Sequence, residues 1–221
     1  MKMKYCLVLG SKPNAPLPDI TPVHIYSANG AAERAMAYAG RDITHTAVVS
    51  SQEYRNKLVH DKIIASRPAR ILIRSHFVEQ YPESDNGISL GCITGDRQFA
   101  LERHYFGLQL YRIFLMRRGF KKVKAAVRHL QGVDYAFGAT TGLWSVLYAL
   151  SRHPENSVVV AGVGLRPGNH FYNSSGFQDK DARRDYFLAS LLDDASRGRI
   201  MTTDELFAER AKVALWNGPV L

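Results

Sequence analysis

The strongest constraint on the fold is a recurring pattern in which a short apolar run ends in small polar residues or glycine before a helix-forming stretch. Such runs lie at residues 4–10, 23–26, 46–49, 69–74 and 157–162. Short apolar runs bounded by turn residues are typical of buried strands, and helical connections between strands favour parallel pairing. The chain is therefore predicted to be an α/β protein with a mostly parallel central sheet.

The segments between and after these runs predict helices and one irregular insertion. Helical periodicity or composition indicates helices at residues 31–39, 53–65, 101–120, 121–130, 141–152, 181–192 and 203–214. For the last of these, Thr202 or Thr203 is the expected N-cap, ahead of Asp204 and Glu205. The pattern breaks down over residues 75–100, which predicts a loop-rich insertion and candidate lid within a single domain spanning residues 1–221.

Composition narrows the cellular setting. The two cysteines, Cys6 and Cys92, do not suggest a disulfide framework, so a reducing compartment is expected. The amino-terminal sequence leads straight into a strand-like run without the features of a signal peptide. No uncharged apolar run approaches the roughly 18–20 residues that span a bilayer. A cytoplasmic location is therefore expected.

The charge balance favours anionic partners. The formal net charge is +9 at pH 7, and basic residues gather at the end of the helix predicted at 101–120. One interpretation is peripheral contact with an anionic membrane at its inner face; the other is a core helix with a solvated basic end. Zinc-finger spacing, RNA-recognition aromatic motifs and a basic tail are missing from the sequence, so nucleic acid is not an expected partner.

Polar residues follow several predicted strands, at the edge where open α/β sheets bind ligands. Gly10, Ser11 and Asn14 follow the first strand, Asn29 follows the second and Ser51 the third. A nucleotide is the ligand that this arrangement suggests, although turn chemistry explains the same residue types. The first loop lacks the glycines of a dinucleotide fingerprint and the lysine of a P-loop, so nicotinamide, flavin and nucleoside triphosphatase chemistry are not expected.

Residues 138–176 combine a possible anion site with a possible base. Thr140, Thr141 and Gly142 open a helix, and a helix start offers unpaired N–H groups that bind phosphate or carboxylate. The strand at 157–162 then ends in a loop that carries His170, which can accept a proton from a hydroxyl near neutral pH. The sequence therefore predicts an anion pocket close to a candidate general base.

At this point the residues resemble a known family. The run Thr140–Leu150, followed by Val158–Gly162, resembles the small motif of sialyltransferases, with its Thr-Gly helix start, Ala-Leu helix end and strand closing on glycine. Residues 7–14 are similar to the glycine–proline loop that opens the small bacterial sialyltransferases. Residues 27–29 resemble their second-strand asparagine, and residues 47–51 resemble their third strand.

The resemblance implies a fold and an activity. The fold would be a single Rossmann-like domain of GT-A-like type. The activity would be inverting transfer of an acidic sugar, sialic acid or 3-deoxy-octulosonic acid (Kdo), from a CMP-activated donor to a hydroxyl of a glycan or glycolipid. The resemblance implies a reaction without a metal. It also implies no cofactor, because the CMP-sugar is a co-substrate.

The resemblance also implies roles for individual residues. His170 would be the general base, and Tyr172 would hydrogen-bond the leaving phosphate. Contacts to the nucleotide, its phosphate or the sugar carboxylate would come from Gly10, Ser11, Asn14, Asn29, Ser51, Thr140, Thr141 and Gly142. Two other interpretations stay open: another nucleotide-dependent transferase, such as a methyltransferase, and a non-catalytic nucleotide-binding or membrane-associated accessory protein. The sequence does not indicate an oligomeric state.

Overall fold

The central feature of the fold is a mixed but mostly parallel sheet. The computed structural model describes residues 4–75, 80–107, 138–166, 168–170, 173–177 and 179–221. Within them, the strands are β1 (Tyr5–Leu9), β2 (His24–Ala28), β3 (Thr44–Ser50), β4 (Arg70–Arg74), β5 (Ser84–Asp85), β6 (Ile88–Ile93), β7 (Ser157–Ala161), β8 (Gly168–His170), β9 (Asn173–Phe177), β10 (Ile200–Thr202) and β11 (Ala214–Leu215). Nine of these form one sheet, and β8 pairs with β9 in a separate hairpin. The predicted α/β class with a mostly parallel sheet is confirmed.

The strand order shows where the chain changes direction across the sheet. The order is β11-β10-β7-β1-β2-β3-β4-β6-β5, and every pair is parallel except β5 with β6. From β1 the chain moves outward through β2, β3, β4 and β6. It then crosses to the other side of β1 for β7, β10 and β11. The order therefore reverses between β1 and β7, an arrangement compatible with a Rossmann-like fold, in which ligands bind at the carboxyl ends of the strands beside this reversal.

Helices cover both faces of the sheet. They are a 3-10 helix (Asn29–Tyr38), α1 (Ser51–Tyr54), α2 (Lys57–Ala65), α3 (Gly95–Phe106), α4 (Thr141–Arg152), α5 (Asp179–Ala189), α6 (Asp194–Arg197) and α7 (Glu205–Ala211). Alternating strand residues divide between the layers: Cys6 and Val8 pack in the cluster that includes α3, α4, α5 and α7, while Leu7 and Leu9 face the 3-10 helix. No helix in the described part of the chain is long and apolar enough to cross a membrane.

Helix α4 is the most deeply buried of these helices because most of its circumference is apolar. Leu143, Trp144 and Leu147 are each at most 1% exposed. Burying one such side chain stabilises the fold by about 1.5–3 kcal/mol. At the far end of the helix, the Arg199 guanidinium donates hydrogen bonds to the carbonyl oxygens of Leu150, His153 and Asn156, at 3.3, 2.6 and 3.1 Å. A cation there complements the negative end of the helix dipole.

The helix boundaries differ from the predictions at several points. The helix predicted at 101–120 begins earlier, at Gly95, and ends at Phe106, with Gly107 at φ 67° as its C-cap. The predicted basic end and the helix predicted at 121–130 lie outside the described residues. The last predicted helix is shorter at both ends, and its N-cap is Asp204, whose side chain accepts from the Phe207 N–H. A carboxylate suits this position because it satisfies an otherwise unpaired N–H at the positive end of the helix dipole.

The prediction of a loop-rich stretch is wrong for residues 84–100. Strand β6 pairs with β4 in register from Arg70 opposite Ser89 to Arg74 opposite Ile93. The alternation of apolar residues in β6 is short and lies between turn residues, so the sequence pattern did not predict a strand there. Residues 76–79 lie outside the described residues, and the lid role of the segment stays a prediction.

A carboxylate fastens the β5–β6 hairpin to the helical layer. The Asp85 carboxylate accepts a hydrogen bond from the Tyr54 hydroxyl at 2.6 Å and lies 2.6 Å from Nε2 of His60. These hydrogen bonds lower the pKa of Asp85 despite the opposing effect of its partial burial. The hairpin at this edge of the sheet is thereby tied to α1 and α2.

A buried histidine makes the stability of the fold depend on pH. His45 is 8% exposed, and its Nε2 lies 2.8 Å from Oγ of Ser27. Burial, together with the nearby His24, lowers the pKa of His45 from 6.5 to about 4. The unfolded chain therefore binds this proton first, and stability is lost as the pH falls from 6.5 towards 4. In thermal melts across this range, we expect His45→Gln to show a smaller drop in Tm than the unsubstituted protein. Equal drops would contradict the assignment.

Candidate functional site

The loops after β1 and β7 are locked together at the point where the strand order reverses. The Gly10 N–H donates to the Ala161 carbonyl at 2.8 Å, and the Lys12 N–H donates to the Gly162 carbonyl at 2.9 Å. A Cβ on Gly10 would lie 2.2 Å from the Gly162 carbonyl oxygen, so only glycine allows this approach. Gly162 itself has φ 77°, a conformation that favours glycine.

An arginine from the 3-10 helix fixes the shape of the first loop. The Arg34 guanidinium donates to the carbonyl oxygens of Gly10 at 3.2 Å, Lys12 at 3.3 Å and Ala15 at 2.8 Å. Lys12 also forms an ion pair with the Asp204 carboxylate. Ser11, a predicted nucleotide contact, is half-buried within this held loop. The loop is therefore preorganised by the chain's own contacts.

The start of α4 lies against the same strand end. A Cβ on Gly142 would meet the Val163 side chain at 3.4 Å, and Val163 directly follows Gly162. The structure thus brings two of the predicted site residues, Gly10 and Gly142, to the end of β7. In the described part of the chain, the N–H groups of Thr141, Gly142 and Leu143 have no acceptor, as expected for a first helical turn. Such N–H groups can bind an anion.

Of the two threonines predicted to open this helix, Thr140 is the N-cap of α4, but its polar groups are directed to a neighbouring carboxylate. Its N–H donates to Oδ1 of Asp185 at 3.0 Å, and its hydroxyl hydrogen-bonds to the other carboxylate oxygen. The Thr140 side chain makes no capping hydrogen bond within α4. In this conformation, an anion that binds here would therefore accept hydrogen bonds from the N–H groups that follow Thr140.

A second buried carboxylate contacts the residue before Thr140. Oε1 of Glu102 accepts from the Ala139 N–H at 3.0 Å and lies 4.0 Å from Nη2 of Arg74. Arg74 in turn donates to the Ala139 carbonyl at 3.0 Å and to Oε1 of Gln98 at 3.0 Å. The guanidinium lies 4.9 Å from the ring centroid of Trp144, a cation–π distance.

Burial changes the protonation of both carboxyl groups. Glu102 and Asp185 are 0% exposed. Burial raises the pKa of Glu102 to about 7, and the opposing effects of Arg74 and of the Ala139 N–H do not cancel it. Burial likewise raises the pKa of Asp185 to about 6, against the hydrogen bonds from Thr140. The start of α4 therefore has two neighbouring acids that titrate near neutral pH.

The predicted residues on the next two strands form a linked pair of their own. Asn29 has φ 51°, and its side-chain oxygen accepts from the Ser50 N–H at 3.2 Å. The Ser50 hydroxyl, not that of Ser51, caps α1 by accepting from the Glu53 N–H at 3.2 Å. Asn14 lies in an exposed turn at φ 53°. These contacts join β2 to β3, whereas Gly10 and Gly142 meet through β7.

The two predicted catalytic residues belong to the segment after β7. His170 is the last residue of β8 and pairs with Asn173 of β9. The His170 side chain lies outside the described residues, as does the whole of Tyr172. Their proposed roles therefore stay predictions.

Sequence reasoning missed the buried polar cluster formed by Arg74, Gln98, Glu102 and Asp185. These residues come from β4, α3 and α5, which are far apart in the chain. The one available signal was the spacing of Gln98 and Glu102, which places both on one face of a helix. Because the helix was predicted to begin after Gln98, that signal was not visible.

Metal ligands and relatives give no further indication of function. Within the described ranges, no three His, Cys, Asp or Glu side chains are grouped so that they could hold a metal ion. The chain matches no protein-family model, no curated protein and no solved structure.

Proposed function

We propose that the protein is a glycosyltransferase that moves an acidic sugar, sialic acid or Kdo, from a CMP-activated donor to a hydroxyl of a glycan or glycolipid. The observation that carries this proposal is the contact of the Gly10 loop, Gly162–Val163 and the start of α4 at the reversal of the strand order. Open α/β sheets bind nucleotides at this position. The proposal extends to a GT-A-like domain and to a reaction without a metal.

The donor would lie across the carboxyl ends of β1, β2, β3 and β7. Its phosphate would accept hydrogen bonds from the N–H groups at the start of α4, with Gly142 the most open of them. The cytidine would lie between two groups of residues. One is the Gly10 loop with Ser11 and Asn14, and the other is Asn29, linked to β3 next to Ser51. The net positive charge of the chain favours such an anionic donor.

The proposed transfer has one proton step and one substitution. His170 takes the proton of the acceptor hydroxyl, and the acceptor oxygen attacks the anomeric carbon. The bond from that carbon to the phosphate oxygen breaks, and CMP leaves with the electron pair. Attack from the opposite face inverts the anomeric configuration. Tyr172 would hydrogen-bond the departing phosphate.

The net charge of +9 supports an anionic or lipid-linked acceptor. We propose a cytoplasmic protein that contacts the inner face of a membrane peripherally. Flotation with vesicles of anionic and of neutral lipid tests this contact, because only the anionic vesicles should carry the protein. Equal recovery with both would remove the membrane from the proposal.

The class of ligand is tested by thermal-shift titration. CMP is expected to raise Tm, while a nicotinamide cofactor and S-adenosylmethionine leave it unchanged. A response to S-adenosylmethionine alone would favour a methyltransferase. Given CMP binding, turnover of CMP-sialic acid or CMP-Kdo separates an enzyme from a non-catalytic nucleotide-binding protein. Turnover that is unchanged by EDTA would support transfer without a metal.

Replacing the candidate base should separate chemistry from binding. We expect His170→Ala to lower kcat by about 10²-fold or more, because a positioned general base contributes at least that factor, while CMP affinity is retained. His104→Ala is the matched control, since His104 is an exposed histidine on α3. Turnover by His170→Ala equal to that of the control would remove His170 from the site.

A further inference from the structure

The two buried carboxyl groups beside α4 have no part in the proposed transfer. They accept hydrogen bonds from the N–H groups of the two consecutive residues that precede the helix. Glu102 accepts from Ala139, and Asp185 accepts from Thr140, both at 3.0 Å. The next N–H groups along the chain are those proposed to bind the donor phosphate. An anion at that position would therefore be held by the N–H groups directly after the two that these carboxyl groups accept from.

The surroundings of Glu102 are compatible with a change in the protonation state of its carboxyl group. The charged groups that face it are Arg74 from β4 and Arg184 and Asp185 from α5. Oε2 of Glu102 is fully buried and has no hydrogen-bond partner among the described residues. A carboxylate oxygen without a donor is unfavourable in the interior, whereas a protonated carboxyl group carries no charge there.

We propose that anion binding at the start of α4 is coupled to proton uptake by Glu102 and Asp185. This inference rests on the proposed donor site. When both groups are ionised, a ligand phosphate is repelled by them through the protein interior, where salt screens charges weakly. When they are protonated, the repulsion is removed and the same N–H groups stay available.

The direction of the pH dependence follows from linkage. Both acids already have pKa values raised by burial, to about 7 and about 6, and a bound anion raises them further. The complex therefore holds more protons than the free protein at pH 7 and above. Affinity for an anion falls as the pH rises from 6 to 8, by about tenfold for one unit of pKa change.

The experiment is isothermal titration calorimetry at pH 7.5 in two buffers with different ionisation enthalpies. CMP and inorganic sulfate are both used as probes, because sulfate does not titrate in this range. Net proton uptake is expected for the unsubstituted protein, and less for Asp185→Asn and Glu102→Gln. Titration of CMP itself is common to all the proteins and cancels in the comparison. Asp194→Asn is the control, since its side chain is 94% exposed, and it should keep the full uptake.

The outcomes separate this inference from the proposed function. CMP binding without proton uptake, or with equal uptake in all variants, overturns the coupling and leaves the transferase proposal standing. Sulfate binding with uptake that falls in the variants, but without CMP binding, supports the coupling and removes the nucleotide. If neither probe binds, both proposals fail. Lack of uptake by the unsubstituted protein is sufficient to overturn the coupling even if a variant does not fold.

Discussion

Replacing Arg74 with methionine is expected to lower the free energy of unfolding by about 3–5 kcal/mol, the usual cost of leaving a buried charge without its partner. Arg74 is 8% exposed, and its Nη2 lies 4.0 Å from Oε1 of Glu102. Its removal also leaves the Ala139 carbonyl and the Gln98 side chain without a donor. Urea denaturation at pH 8, where the acids are most ionised, measures the effect.

Three controls make this prediction specific. Arg97→Met, at an exposed position on α3, is expected to change stability by about 0.5 kcal/mol or less. Arg74→Lys keeps the charge but loses the planar donor geometry, so an intermediate loss is expected. Arg74→Met combined with Glu102→Met should recover part of the loss, because the double variant buries no unpaired Glu102 charge. If the double variant is as unstable as the sum of its single changes, the two residues are not coupled.

Gly10→Ala is expected to destabilise the fold by about 2–3 kcal/mol, because its Cβ would overlap backbone atoms that cannot rotate away. The Gly162 carbonyl oxygen would lie 2.2 Å from it and the Val163 nitrogen 2.6 Å. The loops after β1 and β7 must then separate, which also displaces Val163 from Gly142. We therefore expect CMP affinity to fall together with Tm.

The matched control for Gly10 is Gly198. Its nearest neighbours would lie 3.7 and 3.9 Å from an added Cβ, and its φ is −62°. Gly198→Ala is expected to leave stability unchanged or to raise it slightly, because it restricts the unfolded chain. Thermal melts and CMP titration of both variants test the comparison. A Gly10→Ala protein that melts and binds CMP like Gly198→Ala would show that the loops are not held by this contact.

The sequence predicted the central strands well because each combines a dense apolar run with a clear turn signal. β1, β3 and β7 are buried on both faces, so their apolar runs are nearly continuous. The edge strands were missed for the opposite reason: β5 and β11 have two residues each, too few for a periodicity. Pairing with a neighbouring strand, which is a property of the fold, decides whether so short a segment is extended.

The sequence predicted only those features of the candidate site that depend on residues adjacent in the chain. Thr140 and Thr141 were identified as the start of a helix because capping depends on adjacent residues. Its partner Asp185, and the contact of Glu102 with Ala139, depend on how separate helices pack. Their raised pKa values are likewise a consequence of burial, which no local pattern in the sequence encodes.

The position of β1 in the sheet also has a consequence for how the protein is made. β1 pairs with β2 on one side, which follows it closely in the chain, but its other partner, β7, begins only at Ser157. Until that segment leaves the ribosome, one side of an apolar strand has no partner, and an exposed apolar edge promotes association between chains. The β1 edge therefore stays open until β7 has been made. A nascent protein stalled before β7 is expected to depend on chaperones more than the finished one.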